Sequence, residues 1–169
     1  MPDKIKIVMV DDEADLCFVV KTNLEEAGEF EVVTVSKPEA AESVILQEKP
    51  ALVLLDNIMP GRKGSDIVKE LRKKDAETRK IPIIMVSGKG EMVFDKRKRE
   101  FKWLPNNPLA KTHGQLPEAR SAEALAQVYG VEDYISKPFT TELLIDVIKD
   151  VLSRYRKAKL IDEQAEPMV

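Results

Sequence analysis

The 169-residue chain is short of several things, and each shortage excludes something. It has a single cysteine, Cys17, so no disulfide can form within it. Cys17 sits among apolar residues and reads as a packed thiol. No apolar run approaches the roughly 20 residues that a membrane-spanning helix needs. Charge arrives early, at Asp3, Lys4 and Lys6, so the N-terminus has no apolar core of a secretory signal. The expected location is the cytoplasm, with no membrane partner. Positive charge is not in excess either. Lys and Arg number 27 against 30 Asp and Glu, for a formal net charge of −3 and a sequence pI near 5.4. That balance argues against nucleic acid as a partner bound through bulk charge. No repeat occurs at the period of a solenoid or propeller. The one histidine, His113, lies in a Pro/Asn-rich stretch and reads as an exposed loop residue rather than a ligand.

What is present is an alternation. Hydrophobic residues make up 43% and charged residues 34%, a globular balance with enough apolar mass for one core. The runs "IKIVMV" (5–10), "FEVVTV" (30–35), "ALVLL" (51–55), "IPIIMV" (81–86) and "VEDYI" (131–135) read as strands. Between them the apolar spacing becomes helical. Leu16, Val20, Leu24 and Ala27 predict a helix over 13–27 that stops at Gly28. Ser36 and Pro38 open a second helix carrying Ala41 and Ile45. Ser65 is expected to cap a third, with Ile67, Val68 and Leu71. A fourth is expected from about Pro117 to Gly130, and the last from about Thr141 to Tyr155. Strands alternating with helices predict an α/β fold, a doubly wound parallel sheet of five strands in the order 2-1-3-4-5. The run 51–55 is apolar at every position, as a strand covered on both faces should be.

The strand ends carry the chemistry. In this topology a ligand crevice opens at the carboxyl ends of strands 1 and 3, where the strand order reverses. Strand 1 runs into Asp11 and Asp12, and strand 3 into Asp56. Three carboxylates converging there would repel one another unless a cation joined them, and hard oxygen donors suit Mg²⁺. Ser87 follows strand 4 and Lys137 follows strand 5, a hydroxyl and an ammonium suited to phosphoryl oxygens. Taken singly, each residue has a plainer reading. Asp12 could cap a helix, Asp56 could serve the turn before Pro60, Ser87 could pair with Gly88 in a turn, and Lys137 could be a solvated loop lysine. Their coincidence on one sheet edge favours a shared site.

These pieces resemble the receiver domain of two-component response regulators, of the chemotaxis-response-regulator type. The matching segments are "MVDDE", "LLDNIMPGRKG", "MVSGKG" and "DYISKPF", in family order over about residues 4–155. The resemblance implies a flavodoxin-like fold and a role for each residue. Asp56 would be the phosphoacceptor, taking a phosphoryl group from a histidine kinase or phosphotransfer protein. Asp11, Asp12, Asp56 and the backbone carbonyl of Ile58 would hold Mg²⁺, with Mn²⁺ as the alternative ion. Ser87 would be the switch hydroxyl, Lys137 would pair with the phosphoryl oxygens, and Tyr134 would change rotamer on activation. The resemblance implies signalling, with self-phosphorylation and autodephosphorylation as the sole reactions. The implied output is a face made by the last strand and the helices flanking it, meeting a downstream protein or a second copy of the chain. Ile58 cannot hydrogen-bond an attacking water, which implies a long-lived acyl phosphate.

The chain departs from the family in one place. Ser87 and Tyr134 stand 47 positions apart, about 25 more than such a connection needs. The excess, about residues 91–116, interrupts a receiver spanning 1–156; a short tail, 157–169, follows. A tail of that length leads to the expectation of a stand-alone receiver. Within the insertion Phe94, Phe101 and Trp103 are interleaved with basic residues including Arg97 and Arg99, the makings of a partner-binding element. Residues 91–104 are expected to form an amphipathic helix with Phe94 and Phe101 on one side. Two other readings stay open. One is a receiver that binds partners without phosphorylation. The other is an aspartate-dependent Mg²⁺ phosphatase, against which Ile58 stands where a second acid would be needed.

Overall fold

The computed structural model describes residues 3–87, 90–95, 100–105, 126–127 and 129–165. In chain order the elements are β1 (Ile5–Val10), α1 (Ala14–Glu26), β2 (Phe30–Val35), α2 (Ala41–Glu48), β3 (Leu52–Leu55), α3 (Gly64–Arg72), β4 (Ile83–Ser87), β5 (Gly90–Asp95), β6 (Glu100–Pro105), β7 (Asp133–Ser136) and α4 (Thr141–Ala165). Five strands pair in parallel in the order β2-β1-β3-β4-β7. This is the doubly wound sheet that the alternation of elements predicts.

Strand alternation divides the core into two layers. Val8, Val10, Val53, Leu55, Ile83 and Met85 face Ile45 of α2 and Ile67, Val68 and Leu71 of α3. Ile7, Met9, Leu52, Leu54, Ile84 and Val86 face Cys17, Val20 and Leu24 of α1 and Leu144, Ile148 and Val151 of α4. All four residues of β3 are buried because helices cover both of its sides. Each such aliphatic side chain contributes about 2 kcal/mol on leaving water.

The ladder continues one residue past the strands. The Asp11 N–H donates to the Val35 carbonyl at 3.1 Å, and the Asp56 N–H donates to the Val10 carbonyl at 2.9 Å. Val10 and Leu55 are register partners, so the next residues, Asp11 and Asp56, are set side by side.

Three local expectations are corrected. Ser65 does not cap α3; it lies within that helix, after a start at Lys63 with no side-chain cap. Asn57 does the work instead. Its Oδ1 accepts the Ser65 N–H at 3.0 Å, and its backbone carbonyl accepts the Gly64 N–H at 3.0 Å. The described residues of the expected helix over 91–104, namely 91–95 and 100–104, are strand rather than helix. β5 and β6 pair as an antiparallel hairpin, with Phe94 opposite Phe101 and Met92 opposite Trp103. Those four positions share one face, because side chains alternate along each strand. Finally, α4 runs to Ala165, well beyond Tyr155, since no Gly or Pro interrupts residues 141–165.

The end of the predicted helix over 117–130 is seen. The Gly130 N–H donates to Gln127 and the Val131 N–H to Ala126, with Gly130 at φ +68°. This paired closure is one that glycine favours. The start of that helix, along with Arg97, Arg99 and His113, lies outside the described residues.

Candidate functional site: an acidic pocket at the sheet edge

The loops after β1 and β3 supply the pocket. Asp11 is fully buried and Asp56 is 4% exposed, while Asp12 is half-buried. One carboxylate oxygen from each of the three lies within 4.8 Å of the others. The cap reading of Asp12 does not hold: Glu13 is the cap residue of α1, and no side chain caps it. Asp11 instead turns back locally, its Oδ1 accepting the Glu13 N–H at 2.9 Å. Asp56 Oδ1 accepts the Ile58 N–H at 3.2 Å. That bond leaves Asp56 Oδ2 on the side of Lys137.

Lys137 comes from the residue after β7 and enters the same pocket. Its Nζ donates to Asp11 Oδ2 at 2.7 Å and to Glu13 Oε1 at 3.0 Å, and it stands 4.0 Å from Asp56 Oδ2. Ser87 closes β4 in register with Ser136, immediately before Lys137, so the chain places it at the same sheet edge. Tyr134 is buried at 5% exposure, on the α2–α3 side of the sheet, and stacks on Tyr129 with ring centroids 6.1 Å apart.

Two residues that shape the pocket carried no assigned role in the sequence. Asn57 pins the loop after β3 to the start of α3. Gly64 lets the two approach, because a Cβ there would lie 2.2 Å from the Asp56 carbonyl oxygen. The "D…MPG…G" spacing displays this glycine, but the constraint on it is a backbone contact eight residues away.

The electrostatics are lopsided. Burial, above all, raises the Asp56 carboxyl to about 6, and the charges of Asp11 and Asp12 add to this; Lys137 pulls the other way. Burial likewise raises Asp11, against its hydrogen bond from Lys137. For Lys137, burial acts downward, but the Asp11 bond and the charges of Asp11 and Asp56 outweigh it and hold the ammonium above its usual value. The Cys17 thiol is pushed up to about 11 by burial and by the Asp11 charge, so it stays protonated and packed. Three converging carboxylates facing one described ammonium are a hard-oxygen donor set with negative charge to spare. That set fits a divalent cation such as Mg²⁺.

The raised Asp56 pKa has a consequence for stability. The folded state holds a proton between about pH 4 and pH 6 that the unfolded chain, with an ordinary carboxyl, has released. Stability therefore falls as pH rises through that window. In metal-free buffer, Asp56→Asn should be more stable than wild type at pH 7.5, by an amount on the order of 3 kcal/mol for a shift of this size. The two should converge near pH 4. Denaturant midpoints across pH check this, and a constant difference at every pH would contradict it.

Comparison with known proteins agrees with this geometry. The family model described as "Response regulator receiver domain" matches residues 7–101. The phosphate regulon transcriptional regulatory protein PhoB of Rhizobium meliloti (strain 1021) is 32% identical over 149 residues, 88% of this chain and 52% of its own length. PhoB of Pseudomonas aeruginosa is 33% identical over 148 residues, with the same shares. The chain thus spans about half the length of these curated relatives. Among solved structures, a receiver domain protein (CheY-like) from Methanospirillum hungatei JF-1 superimposes with a TM-score of 0.65 at 22% identity, covering 92% of this chain and 99% of that one. NtrX from Brucella abortus gives a TM-score of 0.68 at 24% identity, covering 96% and 30%. These structural likenesses show the fold. Together with the acidic pocket, the family match means that the chain belongs to the response regulator receiver domains, phosphoacceptor signalling domains that take phosphate from histidine kinases.

Proposed function

We propose that Asp56 is the phosphoacceptor of this receiver. The observation that carries the reading is the placement of its carboxylate beside those of Asp11 and Asp12, with Oδ2 4.0 Å from Lys137. In the transfer, Oδ2 forms a bond to phosphorus as the bond from phosphorus to the donor's imidazole nitrogen breaks. The electron pair leaves with the imidazole, and an acyl phosphate remains. Such a transfer depends on alignment and charge neutralisation more than on covalent assistance. Asp11, Asp12, Asp56 and the Ile58 carbonyl would hold Mg²⁺. Bound there, the ion offsets the charge of the phosphoryl group. The Ile58 N–H fixes the Asp56 rotamer. Lys137 neutralises the phosphoryl oxygens, and Ser87 supplies a hydroxyl to them. Tyr134 reports the change, and its packing against Tyr129 ties the switch to the end of the preceding helix.

The proposed output is a protein contact on the face of β7, the helix ending at Gly130, and α4. On α4, Leu144, Ile148, Val151 and Leu152 are buried, whereas Leu143 remains 48% exposed. Leu143 therefore adds an exposed apolar position to this face, suited to a downstream protein or a second copy of the chain. The β5–β6 hairpin is proposed as the element that selects the partner. Its register gathers Met92, Phe94, Phe101 and Trp103 on one face, and the sequence between its strands is Lys96-Arg97-Lys98-Arg99. Aromatic residues beside basic ones favour an acidic protein surface.

Incubation with acetyl phosphate and Mg²⁺ should add one phosphoryl group to the wild-type chain, and Asp56→Asn should abolish it while leaving the fold intact. Labelling of Asp56→Asn at the wild-type rate would overturn the assignment. Replacing residues 92–116 by a short Gly/Ser link should leave labelling of Asp56 intact but remove a protein retained from a lysate of the source cells. Unchanged retention would refute the role given to the hairpin.

A further inference from the structure

The Lys137 ammonium has three claimants, and they differ in what it costs to release them. Asp11 Oδ2 is at 2.7 Å, Glu13 Oε1 at 3.0 Å and Asp56 Oδ2 at 4.0 Å, the last beyond hydrogen-bonding distance. At rest, the cation assigned to the phosphoryl group therefore leans away from the carboxylate that would receive it. The Asp11 side chain is 1% exposed, so breaking its bond would strand a buried charge. The Glu13 side chain is 59% exposed and rehydrates at little cost when let go. Glu13 is also well placed to hold its position. It precedes α1 as the cap residue, its N–H donates to Asp11 Oδ1, and its carbonyl accepts the Cys17 N–H at 3.0 Å.

We infer that Glu13 is a positioning residue for the transfer: its carboxylate holds Lys137 on the Asp11 side of the pocket and yields the ammonium when a phosphoryl group reaches Asp56. The inference rests on the reading of Asp56 as phosphoacceptor. A phosphoryl group brings about two negative charges to Asp56, more than an exposed carboxylate offers in competition. Lys137 then keeps its Asp11 bond and exchanges Glu13 for a phosphoryl oxygen. Glu13 touches neither donor nor Asp56; it acts through Lys137.

Two substitutions separate this tether from a simple charge effect at the mouth of the pocket. Glu13→Gln removes the charge, and Glu13→Asp keeps the charge but is one methylene too short to reach Nζ. With acetyl phosphate and Mg²⁺, both variants should raise the maximal rate of Asp56 labelling by about threefold, the scale of an exposed ion pair. The donor concentration at half-maximal rate should stay unchanged in Glu13→Asp. If Glu13→Asp behaves as wild type while Glu13→Gln lowers that concentration, Glu13 acts only through its field and the tether is refuted. Wild-type rates in both variants refute it as well. Absence of labelling in the wild-type chain would remove the Asp56 reading itself, and this inference with it.

Discussion

The Asp56 N–H bonded to the Val10 carbonyl is the contact on which the pocket depends. It extends the β1–β3 ladder by one residue and so forces Asp11 and Asp56 into adjacent, buried positions. Two carboxylates cannot be buried together without cost, and here the cost shows in the raised pKa of each. Lys137 offsets part of it. The remainder is a demand for positive charge that a cation would meet, and a site that gains by receiving one is a site prepared for ligand-dependent change.

The loop after β3 must stay in place for this to hold. It is fixed at both ends by contacts that leave no room for alternatives. Asn57 binds the first two backbone N–H groups of α3, and Gly64 is pressed against the Asp56 carbonyl. The hydrogen bonds of Asn57 replace a cap that a serine within the helix could not supply. Position 56 is thus held from the strand on one side and from the helix on the other. A carboxylate held this way would meet a phosphoryl donor, as proposed for Asp56, with little left to arrange.

The sequence disclosed most of this because its signals were local or periodic. The unbroken apolar run 51–55 marked a strand covered on both sides, and the acidic residues after strands 1 and 3 needed only the strand order to be brought together. The contacts it hid are those between residues far apart in the chain. Lys137 and Glu13 lie 124 positions apart, and nothing in either neighbourhood points to the other. Asn57 carries no assigned role in the sequence, because its partners stand at the start of α3. The hairpin was hidden for a different reason. Phe94 and Phe101, seven apart, suit two helical turns and also suit facing strands, and only the cross-strand pairing with Met92 and Trp103 decides between them. The final turns of α4 carry no apolar stripe that would mark them as helix, though nothing in them stops one either.

The three carboxylates form a pocket with unmet negative charge. Thermal denaturation with increasing Mg²⁺ at pH 7.5 tests it without any phosphoryl donor. Binding to the folded state alone must raise the midpoint. The wild-type midpoint should rise by several degrees and saturate, and the rise should be lost in a variant combining Asp11→Asn with Asp12→Asn. A midpoint indifferent to Mg²⁺, or an equal rise in both proteins, would contradict it.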